Sequence, residues 1–565
     1  MTGRERARAV FLEGAGWGGA KAVPVAADAS ARRFFRLKSG RRRAILMDDP
    51  GEGGGSAEAF IRIADWLRGC GYSAPAILAA DAAPGLLLVE DLGDSTLSRL
   101  AEDRPAVAAR AFVLAADFLA DLHRRSPPKG LTCLDGTGLA ALTEIAEEWY
   151  APGTGVVPPE PGKLAATVAR AWERLAARRL VFSLRDFFPG NLMWLPARKG
   201  VARLGLLDFQ DAVLAHPAYD LVSFVQDARR DLPAEVEARV FDRYLALSEA
   251  DPGEFAAASA LMGAQRAIRI MGVFSRLALR DGRTGYLAHL PRVWRHLRRN
   301  LGHPSLTELR EAVDLCLSAP DAAALDRLAS GAGRHPKALM LFAAGFGTRM
   351  GPLVRDRPKP LIPVAGRALI DHALAQSRSA GVERVVVNLH YLGGMIRNHL
   401  GDGDPRIRFS DESARILETG GGLRMALPLL GPGPVFTLNT DAVWDGANPL
   451  SVLRAHWRPE TMGALLLLVG PGATLGHQGG GDFRLAADGR LTRRGDAIYT
   501  GAQIIDPTLV SGETEPVFSL NRIWDRLAEE GRLFGVLYRG RWCDVGQPQS
   551  IALAERMLAG AGHDV

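Results

Sequence analysis

The chain has 565 residues, of which 47% are hydrophobic and 23% are charged. This length exceeds what one hydrophobic core usually organises, so two or three globular domains are expected. A formal net charge of +6 is small for so large a surface and gives no case for nucleic-acid binding. The four cysteines lie far apart without a CxxC pair, which excludes a zinc ribbon or a disulfide framework and favours reduced thiols.

The apolar residues are dispersed along the chain. No run of about 18 or more of them is uninterrupted, and the first residues lack the apolar core of a signal peptide. We therefore expect no membrane span and, together with the reduced thiols, a cytoplasmic location.

The first half of the chain changes from strand-like to helical patterning. Short apolar runs at 34–37, 44–47 and 86–90 predict strands, and long segments rich in Ala, Leu and Arg predict helices up to about residue 301. The Pro- and Gly-rich stretch 151–162 predicts a surface loop. This order predicts an α+β region with a small sheet lobe followed by a helical lobe.

A connector and a region of different texture follow. Residues 306–317 and 322–329 predict helices, and SGAGRHP at 330–336 has the composition of a linker. Apolar runs at 338–343, 384–389, 435–438 and 463–469 predict strands that alternate with helices, which is typical of an α/β domain with a mostly parallel sheet. We predict domains at 1–301 and 337–565, joined by a helical connector and linker at 302–336.

The first chemical motif lies at 339–360, LMLFAAGFGTRMGPLVRDRPKP, where an apolar strand runs directly into two glycines. Gly345 and Gly347 allow backbone N–H groups to turn toward a phosphate chain. Arg349 and Lys359 can neutralise the charge that develops on an α-phosphate and a leaving pyrophosphate. Because strand, glycines, Thr-Arg and Lys-Pro occur together at this spacing, they predict a nucleotide-binding loop.

This segment resembles the signature of the sugar nucleotidyltransferases, a Rossmann-like α/β family, and the similarity continues to the end of the chain. The resemblance implies that Asp441 (in NTD) and Asp544 (in WCDVG) hold Mg²⁺, which takes few protein ligands. It implies nucleotide contacts from the first loop, from the segment VVNLHYL and from a second glycine-rich turn at 418–422, by Ala344, Gly345, Gly347, Thr348, Asn388, Thr419, Gly420 and Gly421. It also implies substrate contacts by Asn439, Thr500 and Gly501, while His390 is either a packed core residue or a ligand.

The reaction implied is an in-line attack of a sugar-1-phosphate oxygen on the α-phosphate of a nucleoside triphosphate. The nucleophile is already anionic near neutral pH, so no general base is required. Positioning and charge neutralisation then carry the catalysis, which explains why the motifs contain Gly, Arg, Lys and Asp rather than a Ser-His pair.

Two motifs in the first half follow the order of the kinase catalytic and metal-binding loops. VFSLRDFFPGNLMW at 181–194 contains an Asp followed five residues later by an Asn, and GLLDFQDA at 205–212 carries an Asp after a short strand. In this interpretation Asp186 orients and deprotonates an acceptor hydroxyl. Asn191 and Asp208 hold Mg²⁺ on the ATP phosphates.

Together these motifs resemble the aminoglycoside-phosphotransferase family of small-molecule kinases, which implies a bilobal kinase-like fold over about 11–301. Glu90 and Leu92, in LLVEDLGDSTL, resemble the hinge segment that contacts the nucleotide. Two positions depart from protein kinases: Leu184 replaces the His before Arg-Asp, and Met47 stands where a strand would end in Lys.

A third departure is that the glycine-rich loop is missing. In its place the segment ADASARRFFR offers Ser30, Arg32 and Arg33, which either contact phosphates or form an Arg-rich strand edge that faces solvent.

The ADASARRFFR, LRD and DFQDA segments resemble the anomeric N-acetylmuramate/N-acetylglucosamine kinases, and LETGGG with WCDVG resembles the N-acetylmuramate-1-phosphate uridylyltransferases. The resemblance implies one chain that converts N-acetylmuramate, ATP and UTP into UDP-N-acetylmuramate. A choline kinase joined to a phosphocholine cytidylyltransferase has the same architecture, and five aromatic residues could cage choline: Trp66, Tyr150, Trp172, Trp194 and Tyr219. A catalytically inactive, regulatory kinase-like region joined to an active nucleotidyltransferase is a third alternative.

Overall fold

The computed structural model describes residues 3–25, 32–49, 55–175, 178–401 and 403–560. The chain divides into two compact units, the first formed by Met1–Glu147, Val156–Phe274 and Ala288–Asp321, and the second by Glu148–Gly155, Ser275–Leu287 and Ala322–Val565. The second unit therefore includes two short segments of the range 1–301. The domain limits at 301 and 336 stay predictions.

The first unit begins with a sheet whose described strands all pair antiparallel, in the order β1-β2-β3-β5-β4. The strands up to residue 215 are β1 Lys21–Val25, β2 Arg33–Ser39, β3 Arg42–Asp48, β4 Ile77–Asp81, β5 Leu86–Val89, β6 Val181–Ser183, β7 Leu192–Trp194, β8 Leu204–Leu206 and β9 Val213–Ala215. Trp17 packs with one face of the sheet, in a core that includes Leu37, Leu46 and Leu88. Because strand side chains alternate, the neighbouring positions of β2 point to the opposite face.

Helices make up most of the remaining first half, as the sequence predicts. They are α1 Gly3–Gly14, α2 Gly55–Gly69, α3 Leu97–Asp103, α4 Pro105–Leu122, α5 Gly136–Ala141, α6 Ala151–Gly153, α7 Lys163–Glu173, α8 Ala218–Val225, α9 Ala234–Leu247, α10 Pro252–Leu279, α11 Leu290–Leu301, α12 Thr307–Cys316 and α13 Ala322–Ser330. Two short antiparallel ribbons, β6–β9 and β7–β8, lie among the helices. They bring the loops 184–191 and 207–212 side by side.

The second unit contains a sheet in the order β14-β13-β10-β15-β21-β17-β22. The strands after residue 337 are β10 Ala338–Phe342, β11 Pro363–Val364, β12 Arg367–Ala368, β13 Arg384–Leu389, β14 Ile407–Asp411, β15 Val435–Asn439, β16 Ala442–Asp445, β17 Ala464–Val469, β18 Thr474–Leu475, β19 Phe483–Leu485, β20 Leu491–Arg493, β21 Ile498–Ile505, β22 Leu533–Leu537 and β23 Arg541–Asp544. The helices are α14 Leu369–Ser379, α15 Gly393–Leu400, α16 Glu418–Leu430, α17 Pro449–His456, α18 Thr508–Ser511, α19 Asn521–Glu529 and α20 Pro548–Gly560.

Strand direction confirms the mostly parallel sheet. β14, β13, β10 and β15 pair in parallel, as do β17 and β22, while β21 runs antiparallel to both of its neighbours. All six residues of β17, ALLLLV, are buried, which is typical of a strand covered on both faces. The carboxyl ends of β10, β13 and β15 meet at one edge, where open α/β sheets place their ligands.

Two segments differ from the sequence-based expectation because tertiary packing covers them. The stretch predicted as a surface loop begins with helix α6, in which Ala151 is fully buried, and a Cβ on Gly153 would lie 2.6 Å from a side-chain carbon of Leu328. In the segment with linker composition, His335 is buried, and this burial lowers the pKa of its imidazole to about 3. Glycine and proline mark these bends, but composition alone does not show what packs against them.

A buried ion pair holds the early segment within the second unit. The side chain of Arg454, on α17, is 2% exposed and pairs with Glu148, and its guanidinium lies 4.9 Å from the ring centre of Trp149. Across the described ranges, no helix has both the length and the apolar character that a membrane span requires.

Candidate active sites

The carboxyl edge of the large sheet encloses a cavity of about 330 Å³. Its lining comes from the loops after β10, β13, β14 and β15 and from the chain after β23: Phe342, Ala343, Ala344, Gly345, Gly347, Thr348, Arg349, Lys359, Pro360, Asn388, Glu412, Ile416, Glu418, Thr419, Asn439, Thr440, Asp441 and Gly546. The structure therefore brings the predicted phosphate loop, Asn388, Thr419, Asn439 and Asp441 together at one place.

The glycine loop is shaped by a close approach of the lysine. Gly347 has a φ of +64°, and a Cβ at this position would lie 2.8 Å from the Cβ of Lys359. Only glycine accommodates both the left-handed backbone and this contact. The loop thus packs against Lys359, which is 8% exposed and lines the cavity.

The two predicted metal carboxylates lie on adjacent strand ends. Strands β16 and β23 pair so that Ala442 faces Asp544, and the N–H of Val545 donates to the carbonyl of Asp441. Lys359 Nζ donates to Asp441 Oδ2 at 2.8 Å. Burial raises the pKa of Asp544, and the neighbouring Asp441 carboxylate raises it further. Two carboxylates that repel one another at the mouth of a phosphate-binding loop fit a divalent cation between them.

Arg349 lies beside the second of these carboxylates. A Cβ on Gly546 would lie 3.0 Å from Asp544 Oδ1 and 3.3 Å from Arg349 Cζ, so glycine leaves room for both groups. No described cluster of three or more His, Cys, Asp or Glu side chains could hold a metal by itself. Any Mg²⁺ here would therefore depend on nucleotide oxygens as well as on Asp441 and Asp544.

A buried hydrogen-bond chain joins three strand ends at the wall of the cavity. Asn388 Oδ1 accepts from the N–H of Ala343 at 2.7 Å, and Asn388 Nδ2 donates to Glu412 Oε1 at 2.7 Å. Glu412 Oε2 accepts from the N–H of Leu417 at 3.2 Å. Glu412 is 2% exposed, and burial raises the pKa of its carboxyl. Sequence reasoning found Asn388 and missed Glu412, since a lone Glu after a strand carries no recognisable motif.

The first unit forms a second constellation around the two ribbons. Asn191 Nδ2 donates to the carbonyl of Asp186 at 3.0 Å, and the N–H of Leu207 donates to the carbonyl of Asn191. Burial raises the pKa of Asp208, and the nearby Asp186 carboxylate raises it further. The three predicted residues are therefore neighbours, and the carboxylates of Asp186 and Asp208 are close enough to interact electrostatically.

Comparison with known proteins finds relatives of the two regions that contain these residues. Residues 21–258 match the phosphotransferase enzyme family, and residues 339–480 match the MobA-like NTP transferase domain. The N-acetylmuramate alpha-1-phosphate uridylyltransferase of Caulobacter vibrioides is 44% identical over 239 residues, which cover 40% of this chain and 98% of that protein. The N-acetylmuramate/N-acetylglucosamine kinase of the same organism is 37% identical over 351 residues, covering 55% of this chain and 96% of that protein. The kinase of that name from Pseudomonas aeruginosa is 32% identical over 52% of this chain and 89% of its own.

The chain belongs to both families. Its kinase region is N-terminal, and its nucleotidyltransferase region is C-terminal, in the order predicted from the motifs.

A buried aspartate holds the catalytic loop of the kinase region. Asp220, on α8, is 1% exposed and accepts hydrogen bonds from Ser183 Oγ and from the N–H groups of Leu184 and Arg185. Burial raises the pKa of Asp220 to about 6. Arg185 has a φ of +67°, and the Asp220 bonds stabilise this strained backbone immediately before Asp186. Sequence reasoning assigned no role to Asp220.

Other predicted kinase residues have contacts within the protein. Glu90 accepts from Arg198 at 2.8 Å and from the N–H of Ala76, so its carboxylate is engaged by neighbouring parts of the chain. Leu92 is half-buried beside Gly205. Ser30 lies outside the described residues. The nucleotide contacts of Glu90 and Leu92 stay predictions.

In the transferase region, the second glycine-rich segment is the start of helix α16 and not a turn. The N–H groups of Gly420 and Gly421 both donate to the carbonyl of Phe518, and a Cβ on either glycine would collide with residues 516–518. These glycines thus serve close packing of the helix, whereas Thr419 faces the cavity. The backbone N–H groups of these two glycines are therefore already engaged and are not free to make the predicted hydrogen bonds to a nucleotide.

Two of the predicted substrate contacts have partners within the protein. Thr500 is 1% exposed, and its hydroxyl donates to the carbonyl of Leu467, so its side chain belongs to the sheet. Gly501 has a φ of +83°, and a Cβ there would lie 2.8 Å from Asn439 Nδ2. Gly501 therefore packs against the side chain of Asn439, where a larger residue would collide with it. His390 Nδ1 lies 2.7 Å from the carbonyl oxygen of Glu412, so this nitrogen faces the backbone and not the cavity.

The aromatic residues considered for a choline cage have structural positions. Tyr150, Trp172 and Tyr219 are buried in the core. Trp66 packs on Phe182 at 4.5 Å, and Trp194 lies under the guanidinium of Arg203. These positions do not favour the choline alternative.

Proposed function

We propose that this chain phosphorylates the anomeric hydroxyl of N-acetylmuramate or N-acetylglucosamine with ATP, and then transfers a uridylyl group from UTP to N-acetylmuramate-1-phosphate. The products are UDP-N-acetylmuramate and pyrophosphate. The observation that supports the proposal is that the residues predicted to be catalytic lie close together, Asp186 with Asn191 and Asp208 in the first unit, and Arg349 with Lys359 and Asp441 in the second. The partners are then small molecules.

In the kinase step, the anomeric oxygen attacks the γ-phosphorus of ATP while the bond to the β-phosphate oxygen breaks and ADP leaves. Asp186 accepts the hydroxyl proton, and Asp220 fixes its loop through the N–H groups of Leu184 and Arg185. Asn191 and Asp208 would hold Mg²⁺, which supplies charge neutralisation on the phosphates when bound. The presence of these groups argues against an inactive regulatory region.

In the transferase step, a phosphate oxygen of the sugar-1-phosphate attacks the α-phosphorus of UTP and pyrophosphate leaves. Arg349 and Lys359 neutralise the charge that develops on the α-phosphate and the leaving group. The N–H groups of the loop 344–348 orient the triphosphate. Asp441 and Asp544 would hold Mg²⁺ at the same edge, where it would supply further charge neutralisation on the phosphates.

The test is mass spectrometry of products after the whole protein is incubated with N-acetylmuramate, ATP, UTP and Mg²⁺. UDP-N-acetylmuramate is the expected product. If a UDP-sugar forms only when N-acetylmuramate-1-phosphate is supplied, the kinase half of the proposal is wrong. If the 1-phosphate accumulates and no UDP-sugar forms, the transferase half is wrong.

A carboxylate introduced at position 388 tests whether Glu412 positions the nucleotide loop through Asn388. In Asn388→Asp, two carboxylates face each other at the wall of the cavity, and we expect the KM for UTP to rise about tenfold, equivalent to about 1.4 kcal/mol. The defect should grow with pH, because the pair shares a proton at low pH and repels after losing it. Steady-state kinetics from pH 5.5 to 8.5 with supplied sugar-1-phosphate measure it.

The double variant Asn388→Asp, Glu412→Gln is the matched control for that prediction. The introduced aspartate would still accept from the Ala343 N–H and would now accept from the introduced glutamine amide, whose oxygen would accept from the Leu417 N–H. We therefore expect a KM for UTP within about twofold of the natural protein and a normal pH profile. A double variant as impaired as the single one would refute the positioning role.

A further inference from the structure

In the kinase region, an arginine next to β2, and not a residue of β3, brings a positive charge to the expected phosphate site. Kinases usually supply a lysine from the third strand to the ATP phosphates. Here that position is Met47, which is 1% exposed. Arg32 is the residue that precedes β2. Its guanidinium is directed toward Asp208, the predicted metal ligand, with Nη1 3.2 Å from Oδ1.

We propose that Arg32 is the phosphate-binding cation of the kinase site, in place of the strand lysine, and that Asp49 positions it. This inference rests on the proposed kinase function and goes beyond the general suggestion that the segment contacts phosphates. It explains how a kinase site works with methionine on β3.

The carboxylate that holds Arg32 in place is buried and directly follows the last residue of β3. Arg32 Nε lies 3.1 Å from Asp49 Oδ2, and the Asp49 side chain is 9% exposed. Strands β2 and β3 pair Arg33 with Asp48, so the next step of the same register sets residue 32 opposite residue 49. A buried carboxylate needs a charged partner at this position, and Arg32 provides it.

The neighbouring aspartate has separate partners. Asp48 pairs with Arg4 and Arg8, both on helix α1. Because successive strand residues face opposite sides, the two carboxylates divide their arginines between the helix side and the site side of the sheet. Arg32 is therefore the arginine that the sheet directs toward the catalytic loops.

The outer edge of the guanidinium faces the catalytic loops. Nε is engaged by Asp49, while Nη1 and Nη2 point at Asp208 and at Asp211, the latter at 3.8 Å. The Arg32 side chain is 15% exposed, so it is held in place and still reachable. A planar guanidinium can keep one carboxylate on its inner edge and bind a phosphate through its two Nη groups. Carboxylates alone would repel a triphosphate, and Arg32 offsets that repulsion.

The experiment compares the full-length protein with Arg32→Met, Asp49→Asn and the corresponding double variant. Sugar phosphorylation is measured by steady-state kinetics, and binding of AMP-PNP with Mg²⁺ is measured by titration calorimetry. For Arg32→Met we expect at least a tenfold rise in the KM for ATP, a tenfold loss of AMP-PNP affinity and an unchanged KM for the sugar. For Asp49→Asn we expect a three- to fivefold rise in the KM for ATP, and no further rise in the double variant over Arg32→Met.

Arg43→Ala is the matched control, because Arg43 is an exposed arginine at the start of β3. It should leave all these values within twofold, and uridylyl transfer from supplied sugar-1-phosphate should be normal in every variant. A change below twofold for Arg32→Met, or independent effects of the two single variants, would overturn the inference. If the natural protein phosphorylates no sugar but binds AMP-PNP in an Arg32-dependent way, the proposed function fails and the Arg32 assignment stands.

Discussion

Asp186→Asn is expected to abolish sugar phosphorylation and to leave uridylyl transfer intact. The carboxylate is the acceptor for the sugar hydroxyl proton, and an amide of the same shape has no basic oxygen for it. General-base groups typically contribute about 10²- to 10⁴-fold, so we expect kcat to fall by at least about 10³-fold. Coupled assays of ADP release, with N-acetylmuramate or N-acetylglucosamine as the acceptor, measure the loss.

The same chain provides the internal control for this prediction. With supplied N-acetylmuramate-1-phosphate and UTP, the variant should release pyrophosphate at the natural rate, which shows that the transferase unit is folded, and an unchanged affinity for AMP-PNP with Mg²⁺ would show the same for the kinase unit. Asp242→Asn, on the exposed face of α9, is the matched substitution and should change neither activity. Asp186→Asn with a kcat within tenfold of the natural protein would mean that the proton goes elsewhere and that Asp186 has been misassigned.

Arg349→Ala is expected to give the opposite pattern. Arg349 lies at the cavity beside Asp544, where we propose that the charge of the α-phosphate and pyrophosphate develops. Removal of one group that stabilises such charge typically costs about 10²- to 10³-fold in kcat. Because the arginine binds the transition state more strongly than the ground state, kcat should fall more than the KM for UTP rises.

With N-acetylmuramate, ATP and UTP all present, this variant should accumulate N-acetylmuramate-1-phosphate, which mass spectrometry detects directly. Arg357→Ala is the matched control, because Arg357 is an exposed arginine of the same loop and does not line the cavity. If Arg349→Ala and Arg357→Ala transferred uridylyl groups equally well, the role given to Arg349 would be refuted.

The sequence was sufficient for the fold classes, and it predicted the main catalytic groups. Gly347, Arg349 and Lys359 form a short motif whose spacing follows directly from what a triphosphate requires. Asp186, Asn191 and Asp208 also occur in a fixed order, because they occupy two adjacent loops of the same ribbons. Strands such as β13 and β17 were located to within a residue, since a buried strand needs a continuous apolar run.

Groups that act through long-range contacts were decided only by the tertiary structure. Glu412 follows β14, and its partner Asn388 lies 24 residues earlier, so no local pattern marks the pair. The glycines at 420 and 421 were predicted to form a ligand-binding turn, whereas residues 516–518, much later in the chain, require them to be small.

The same limit applies to Arg32. The segment showed that arginines replace the glycine-rich loop, but the choice between a phosphate ligand and a solvent-facing strand edge was open. The register of β2 with β3 places Arg32 against Asp49, and the fold of the catalytic loops brings Asp208 within 3.2 Å. Residues that contact the phosphates of one ligand occur in short motifs, because these phosphates are close together. The positioning of those motifs depends on packing between distant parts of the chain.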